Sequence, residues 1–237
     1  MKKLNVSKRT AIIIRIVGLV ALLCVIALLV LYFSGWLPSY GELNKNNIDD
    51  YLGNDLWENV LDEFDDVEIV NIPLNAQRDS ISDYSAVLKI NHKDKTKWLE
   101  TSQNVSSYIS DYLIDNPKCE LNDFDSITVK IKYDTDANSV SFSNKYDFGE
   151  NKEKLDGLSC VRISSDNVDF MSFSDISQFD SAEYMIVNLM VDESTDFSVL
   201  SKLNAVKEMN IFVDDNYKAS AENKIEALNL PYKVNII

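Results

Sequence analysis

Histidine is almost missing from this chain: one residue, His92, in 237. A serine or cysteine triad needs an imidazole, so any such triad must use His92. It stands between Asn91 and Lys93 at the end of an apolar–polar alternation, without a nucleophile signature around it, and reads as a surface residue. Cysteine is scarce as well. Zinc sites gather His and Cys in clusters, which one His and the scattered Cys24, Cys119 and Cys160 do not supply. Six glycines leave no room for a glycine-rich phosphate loop. Acid is missing only at the start: the first 15 residues hold Lys2, Lys3, Lys8, Arg9 and Arg15 and no Asp or Glu. Net charge is −15 overall, so the remainder carries −20. Such an acidic body lacks the basic footprint of nucleic-acid binding and is repelled by anionic headgroups. These scarcities predict a non-catalytic chain with no cofactor, no metal and no nucleic-acid partner.

What is present is a long apolar segment, Ala11–Phe33. Ile16–Phe33 runs 18 residues without a charge. As a helix it is about 27 Å long, close to a bilayer core. Arg15 sits where its stem can snorkel to headgroups, and Tyr32, Phe33, Trp36 and Tyr40 cluster at the other end as an interfacial belt. The basic residues before the span predict a cytoplasmic N-terminus and an extracytoplasmic C-terminal part. A cleaved signal peptide is the rival reading. The apolar region is long for one, and the small residues of Ser39-Tyr40-Gly41 lie beyond Pro38, well past the run. Cys24 follows Leu23 inside the span and is not a lipoprotein cysteine. The expected layout is a basic tail over 1–10, a single-pass transmembrane helix over 11–34, a linker over 35–46, an α+β unit over 47–149 and a repeat region over 150–237.

In the α+β unit, Ile48, Tyr51, Leu52, Leu56, Trp57, Val60, Leu61 and Phe64 recur with helical period, capped by Asn46 or Asn47. Val67–Ile72 and Tyr84–Asn91 alternate as strands. A second amphipathic helix runs from Asp94 to Asn116, stopped before Pro117. Ile127–Tyr133 and Val140–Tyr146 are two more strands. The order α-β-β-α-β-β predicts an antiparallel sheet covered by helices.

Beyond residue 150 a period emerges. Val161, Met185 and Met209 lie 24 apart, as do Ile163, Val187 and Ile211, and Leu155, Phe179 and Leu203. With one residue inserted the pattern continues through Ile225, Leu228, Val234 and Ile236. Equivalent residues are expected side by side on neighbouring parallel strands, with Leu155, Phe179, Leu203 and Leu228 covering them from the links. Leu158-x-x-Val161-x-Ile163, Ala182-x-x-Met185-x-Val187 and Val206-x-x-Met209-x-Ile211 resemble the LxxLxL strand segment of leucine-rich repeats. The resemblance implies a solenoid of short β-α units with parallel strands. The family's Asn, three residues after the last of these positions, is Asp166, Met190 and Asp214 here. An ordinary β-α-β-α parallel sheet with units of equal length is the other reading.

Candidate chemistry is thin. Asp134-Thr135-Asp136-Ala137-Asn138 opens like a calcium loop, but Ser139 stands at the glycine position and Lys145 at the bidentate glutamate, so a turn explains it as well. Carboxylate pairs for glycoside hydrolysis, Asp214-Asp215 or Glu42 among them, are too many to single out in so acidic a chain. Asn104-Val105-Ser106 is a glycosylation sequon in a predicted helix. Cys119 and Cys160 are candidates for one disulfide, worth roughly 3–4 kcal/mol for a loop of about 40 residues. The reading that follows is a membrane-anchored extracytoplasmic binding protein with a protein partner. The alternatives are an envelope-assembly or signalling subunit, and a small exported carboxylate-dependent hydrolase.

Protease added to intact cells stripped of their wall is expected to digest the C-terminal part and leave a small membrane-bound fragment. A mature chain beginning near Glu42 and released into the medium would contradict the uncleaved anchor.

Overall fold

The described residues form ten strands and three α-helices. The computed structural model describes Leu43 and residues 46–133, 137–167 and 170–237. The strands are β1 (Val67–Asn71), β2 (Asp83–Ile90), β3 (Ser126–Lys132), β4 (Ser139–Ser143), β5 (Lys145–Phe148), β6 (Asn151–Lys154), β7 (Cys160–Ser164), β8 (Tyr184–Asn188), β9 (Glu208–Ile211) and β10 (Lys233–Ile236). The helices are α1 (Asn54–Glu63), α2 (Lys95–Asp115) and α3 (Asp215–Glu226). Eight strands form one sheet in the order β1-β2-β3-β4-β7-β8-β9-β10, and β5 pairs with β6 as a separate antiparallel hairpin.

The sheet is mixed, which corrects the expected antiparallel α-β-β-α-β-β sheet. β1–β2, β3–β4 and β4–β7 are antiparallel, but β2 and β3 run parallel in the register Tyr84↔Ile127, Ala86↔Val129, Leu88↔Ile131. The physical reason is α2. A connection holding a 21-residue helix is a crossover rather than a hairpin, and a crossover returns the next strand in the same direction. Asp94 caps this helix by accepting from the Lys97 amide at 3.0 Å, and its buried stripe of Trp98, Leu99, Val105, Ile109 and Leu113 packs into the main core. The expected first helix also differs. Ile48–Asp50 is a separate 3-10 turn, and Gly53 at φ 73° breaks the chain before α1. The predicted strand Val140–Tyr146 divides at Asn144, whose side-chain oxygen accepts from the Ile127 amide at 2.7 Å, so that Tyr146 belongs to the hairpin.

The repeat region supplies β7 to β10, parallel and in sequence order. Val161, Met185, Met209 and Val234 are register partners, and so are Ile163, Val187, Ile211 and Ile236. The links before β8 and β9 carry 3-10 turns, Phe173–Phe179 and Ser198–Lys202, and the link before β10 carries α3. Phe179 and Leu203 are buried over these rows and Leu228 is half-buried against them. Leu155 is not with them. It packs on the opposite face with Tyr146, Cys160, Tyr184 and Ile186, because it follows β6 and is carried by the hairpin. These strands do not form a sheet of their own: β7 pairs with β4 in the register Val140↔Ile163, Phe142↔Val161. The chain from Glu42 to Ile237 is accordingly one unit.

The transmembrane helix expected over Ala11–Phe33 lies outside the described residues. Among the described residues no helix is long and apolar enough to cross a membrane.

Met209 is fully buried between Met185 and Val234. Met209→Ala should lower stability by about 2–5 kcal/mol in urea unfolding of the full chain, as a core truncation does. Lys207→Ala, two residues away on the exposed surface, should leave the unfolding midpoint nearly unmoved. Equal effects of the two changes would contradict the buried row.

Candidate functional site

Because β7 to β10 are parallel, their carboxyl ends and the loops leaving them gather at one end of the sheet. In open sheets this is where ligands bind. A crevice of about 620 Å³ lies there, lined by Ser164, Ser165 and Asp166 at the end of β7, Asn188–Val191 at the end of β8, Phe212–Asp214 after β9, Tyr217 of α3 and Ile237 after β10. A smaller cleft of about 440 Å³, lined by Phe173, Asp192, Thr195, Asp196 and Lys202 among others, adjoins it and shares Met190. Met190 is 59 % exposed, the most exposed of the large apolar side chains described, and Ile237 is 41 % exposed. Leu189 and Val191, on either side of Met190, are buried and hold it in place. Met190 is thus an exposed apolar side chain held between two adjoining clefts, on a strand end whose neighbours are buried.

The sequence carried a signal for this site. Asp166, Met190 and Asp214 occupy the position at which leucine-rich repeats carry Asn, and all three are exposed and line the crevice. The departure from the repeat pattern is thus where the chain turns side chains outward. Among the described residues none makes a hydrogen bond or ion pair with the Asp166 side chain. Asp214 caps α3 by accepting from the Asn216 amide at 2.9 Å, and Asp215 begins that helix. Hydrogen bonds from Ser194 hold the Asp192 carboxyl below its usual range, and those from Ser198 do the same for Asp196. Glu208 is also lowered: burial works to raise it, but hydrogen bonds from Lys233 and Asn235 outweigh that. A general acid needs the opposite shift.

The other sequence candidates fall elsewhere. His92 is half-buried and its Nε2 lies 3.3 Å from an Asp66 carboxylate oxygen, where the start of β1 meets the end of β2. Among the described residues no hydroxyl or thiol hydrogen-bonds to it. Asp134 and Asp136, like Glu42, lie outside the described residues, and the Asn138 side-chain oxygen accepts from the Ser165 hydroxyl at 2.7 Å. Asn104 is exposed on α2. Among the described residues no group of three or more His, Cys, Asp or Glu is arranged to hold a metal ion.

Cys119 and Cys160 are both free, which corrects the candidate disulfide. Cys119 packs against the main core and Cys160 belongs to the cluster on the other face, so the sheet stands between them.

Two other hollows are described. The largest, about 910 Å³, opens around Gly53, Asn54, Arg78, Tyr112 and Lys118. Two of its side chains, Arg78 and Glu120, pair with each other. Glu120 accepts from the Gly53 amide at 2.7 Å and pairs with Arg78 at 3.1 Å, while Arg78 reaches Asp123 at 2.6 Å. The second, about 300 Å³, lies on the polar face of the sheet between Ser141, Ser143, Arg162 and the hairpin.

No protein-family model, curated protein or solved structure matches the chain.

Burial pushes the Cys160 thiol up to about 12, so almost none of it is thiolate at pH 8. A disulfide reagent at pH 8 is expected to leave Cys160 unmodified in the native chain and to label it after denaturation, as peptide mass spectrometry would show. Native labelling of Cys160 at the rate of a free thiol would contradict its burial.

Proposed function

We propose that this chain is a non-catalytic binding protein, held in a membrane by Ala11–Phe33 with its folded part on the extracytoplasmic side, and that it takes a protein partner at the carboxyl ends of β7 to β10. The anchoring rests on the charge-free apolar segment and the five basic residues before it. The binding reading rests on one observation: Met190 stands exposed between two adjoining clefts, on a strand end fixed by buried Leu189 and Val191. A side chain that costs solvation when free gains by being covered, at roughly 25 cal/mol per Å² of apolar surface. The rigid parallel ladder beneath it offers a partner a preformed surface, which reduces the ordering cost of association.

The test compares proteins cross-linked to the full chain in intact cells for the unaltered protein, Met190→Asp and Val70→Asp. Val70 is 45 % exposed on β1, at the far edge of the sheet, and serves as the control. A partner kept by Val70→Asp and lost by Met190→Asp supports the reading. Identical cross-linked sets for all three chains would overturn it.

A further inference from the structure

The chemistry of the partner is legible in what surrounds Met190. The crevice has an apolar floor of Leu189, Val191 and Val213 and an acidic rim of Asp166 and Asp214, with no cation among its lining residues. The rim and floor alternate with the repeat. Asp166, Met190 and Asp214 follow β7, β8 and β9 at the same offset, so one apolar position stands between two carboxylates on successive strand ends. Neighbouring strands are about 4.8 Å apart, so the ends of β7 and β9 from which the two acids leave are roughly 10 Å apart, on either side of β8. Among the described residues none pairs with the Asp166 carboxylate, which faces the crevice as an exposed charge. Beyond Met190, Asp192 and Asp196 line the adjoining cleft as exposed carboxylates, ionised at neutral pH like any exposed aspartate, and add negative charge beside the apolar floor. Two cations stand on that side among the described residues: Lys224, which donates to the backbone oxygens of Glu193 and Thr195, and Lys202, which lines the adjoining cleft with Asp192 and Asp196.

We propose that the occupant of this crevice is a basic segment of a partner protein, in which an apolar side chain is flanked by Lys or Arg. The apolar side chain rests on Met190, and the flanking cations meet Asp166 and Asp214. This rests on the reading of the crevice as a protein-binding site and adds the identity of what binds. An acidic or purely apolar segment is disfavoured, the first by repulsion at the rim and the second by leaving two carboxylates desolvated and unpaired.

The experiment uses the full chain in nanodiscs of phosphatidylcholine, whose zwitterionic lipid does not itself collect cationic peptide. Three fluorescent probes are titrated: a short peptide alternating leucine with lysine, the same peptide with serine for leucine, and the same with glutamate for lysine. The leucine–lysine peptide is expected to bind at least about tenfold more tightly than either of the others, a difference of roughly 1.4 kcal/mol. Met190→Asp separates the site from general attraction to an acidic surface. General attraction predicts tighter binding, because a negative charge has been added; the proposed site predicts binding weakened about tenfold. Asp166→Asn should weaken binding severalfold and lessen its dependence on salt. Equal binding of the serine–lysine peptide, or unweakened binding to Met190→Asp, overturns the proposal. If the glutamate peptide binds as well as the lysine peptide and both are lost with Met190→Asp, the crevice remains a binding site and the basic partner is overturned. If no peptide binds while the cellular cross-links still depend on Met190, the basic segment is again overturned and the functional reading survives.

Discussion

One row of aliphatic side chains crosses the whole sheet. Ile69, Leu88, Ile131, Val140, Ile163, Val187, Ile211 and Ile236 are successive register partners on eight strands. All but Ile236 are buried, and Ile236, on the edge strand, is half-buried. A slip of one residue anywhere would turn a strand's apolar side chains to the polar face, so the row holds every strand in place. The junction that matters most is β4–β7. It carries the row from the mixed half of the sheet into the parallel half, and without it the repeat strands would end in an open edge.

The two faces of the sheet then take different roles. The helices and 3-10 turns cover the apolar face, where Trp57, Trp98 and Phe142 fill the core. Trp57 donates to Tyr84 at 2.7 Å and Tyr84 donates to the Leu52 carbonyl at 3.1 Å, so the polar ends of these rings are satisfied inside. The other face is polar and is covered over β7 to β9 by the hairpin. There Tyr146 accepts from buried Asn210 at 2.6 Å, and Asn235 donates to Asn210 at 2.8 Å, so the asparagines tie β9 and β10 together.

Much of this was legible in the residues, and the reasons for the gaps are physical. The parallel rows of β7 to β10 could be read from spacing, because equal links between strands of one direction place equivalent residues at equal heights. The parallel β2–β3 pair could not: the pattern of α2 shows a helix with one buried face but not whether it returns the chain beside or across the strand it left. Leu155 matched the period by number and yet lies on the other face, since the hairpin that carries it is folded by Tyr146 packing on Tyr184, a contact between residues far apart in the chain. Asp166, Met190 and Asp214 were visible as departures from a repeat, while their meeting in one crevice depends on strand order.

By itself, then, the sequence determined what depends on neighbours along the chain: an apolar segment long enough for a bilayer, the charge imbalance between the first 15 residues and the rest, the two-residue alternation of each strand and the period of the last third. These are local because hydrophobic periodicity follows directly from backbone geometry. The tertiary structure alone decided strand direction, the joining of two patterns into one sheet, the separation of Cys119 from Cys160, and the exposure of Met190 between two acids. Each of these is set by pairings between distant residues, whose free energy is gained only when the whole sheet forms, and no window of sequence contains both partners.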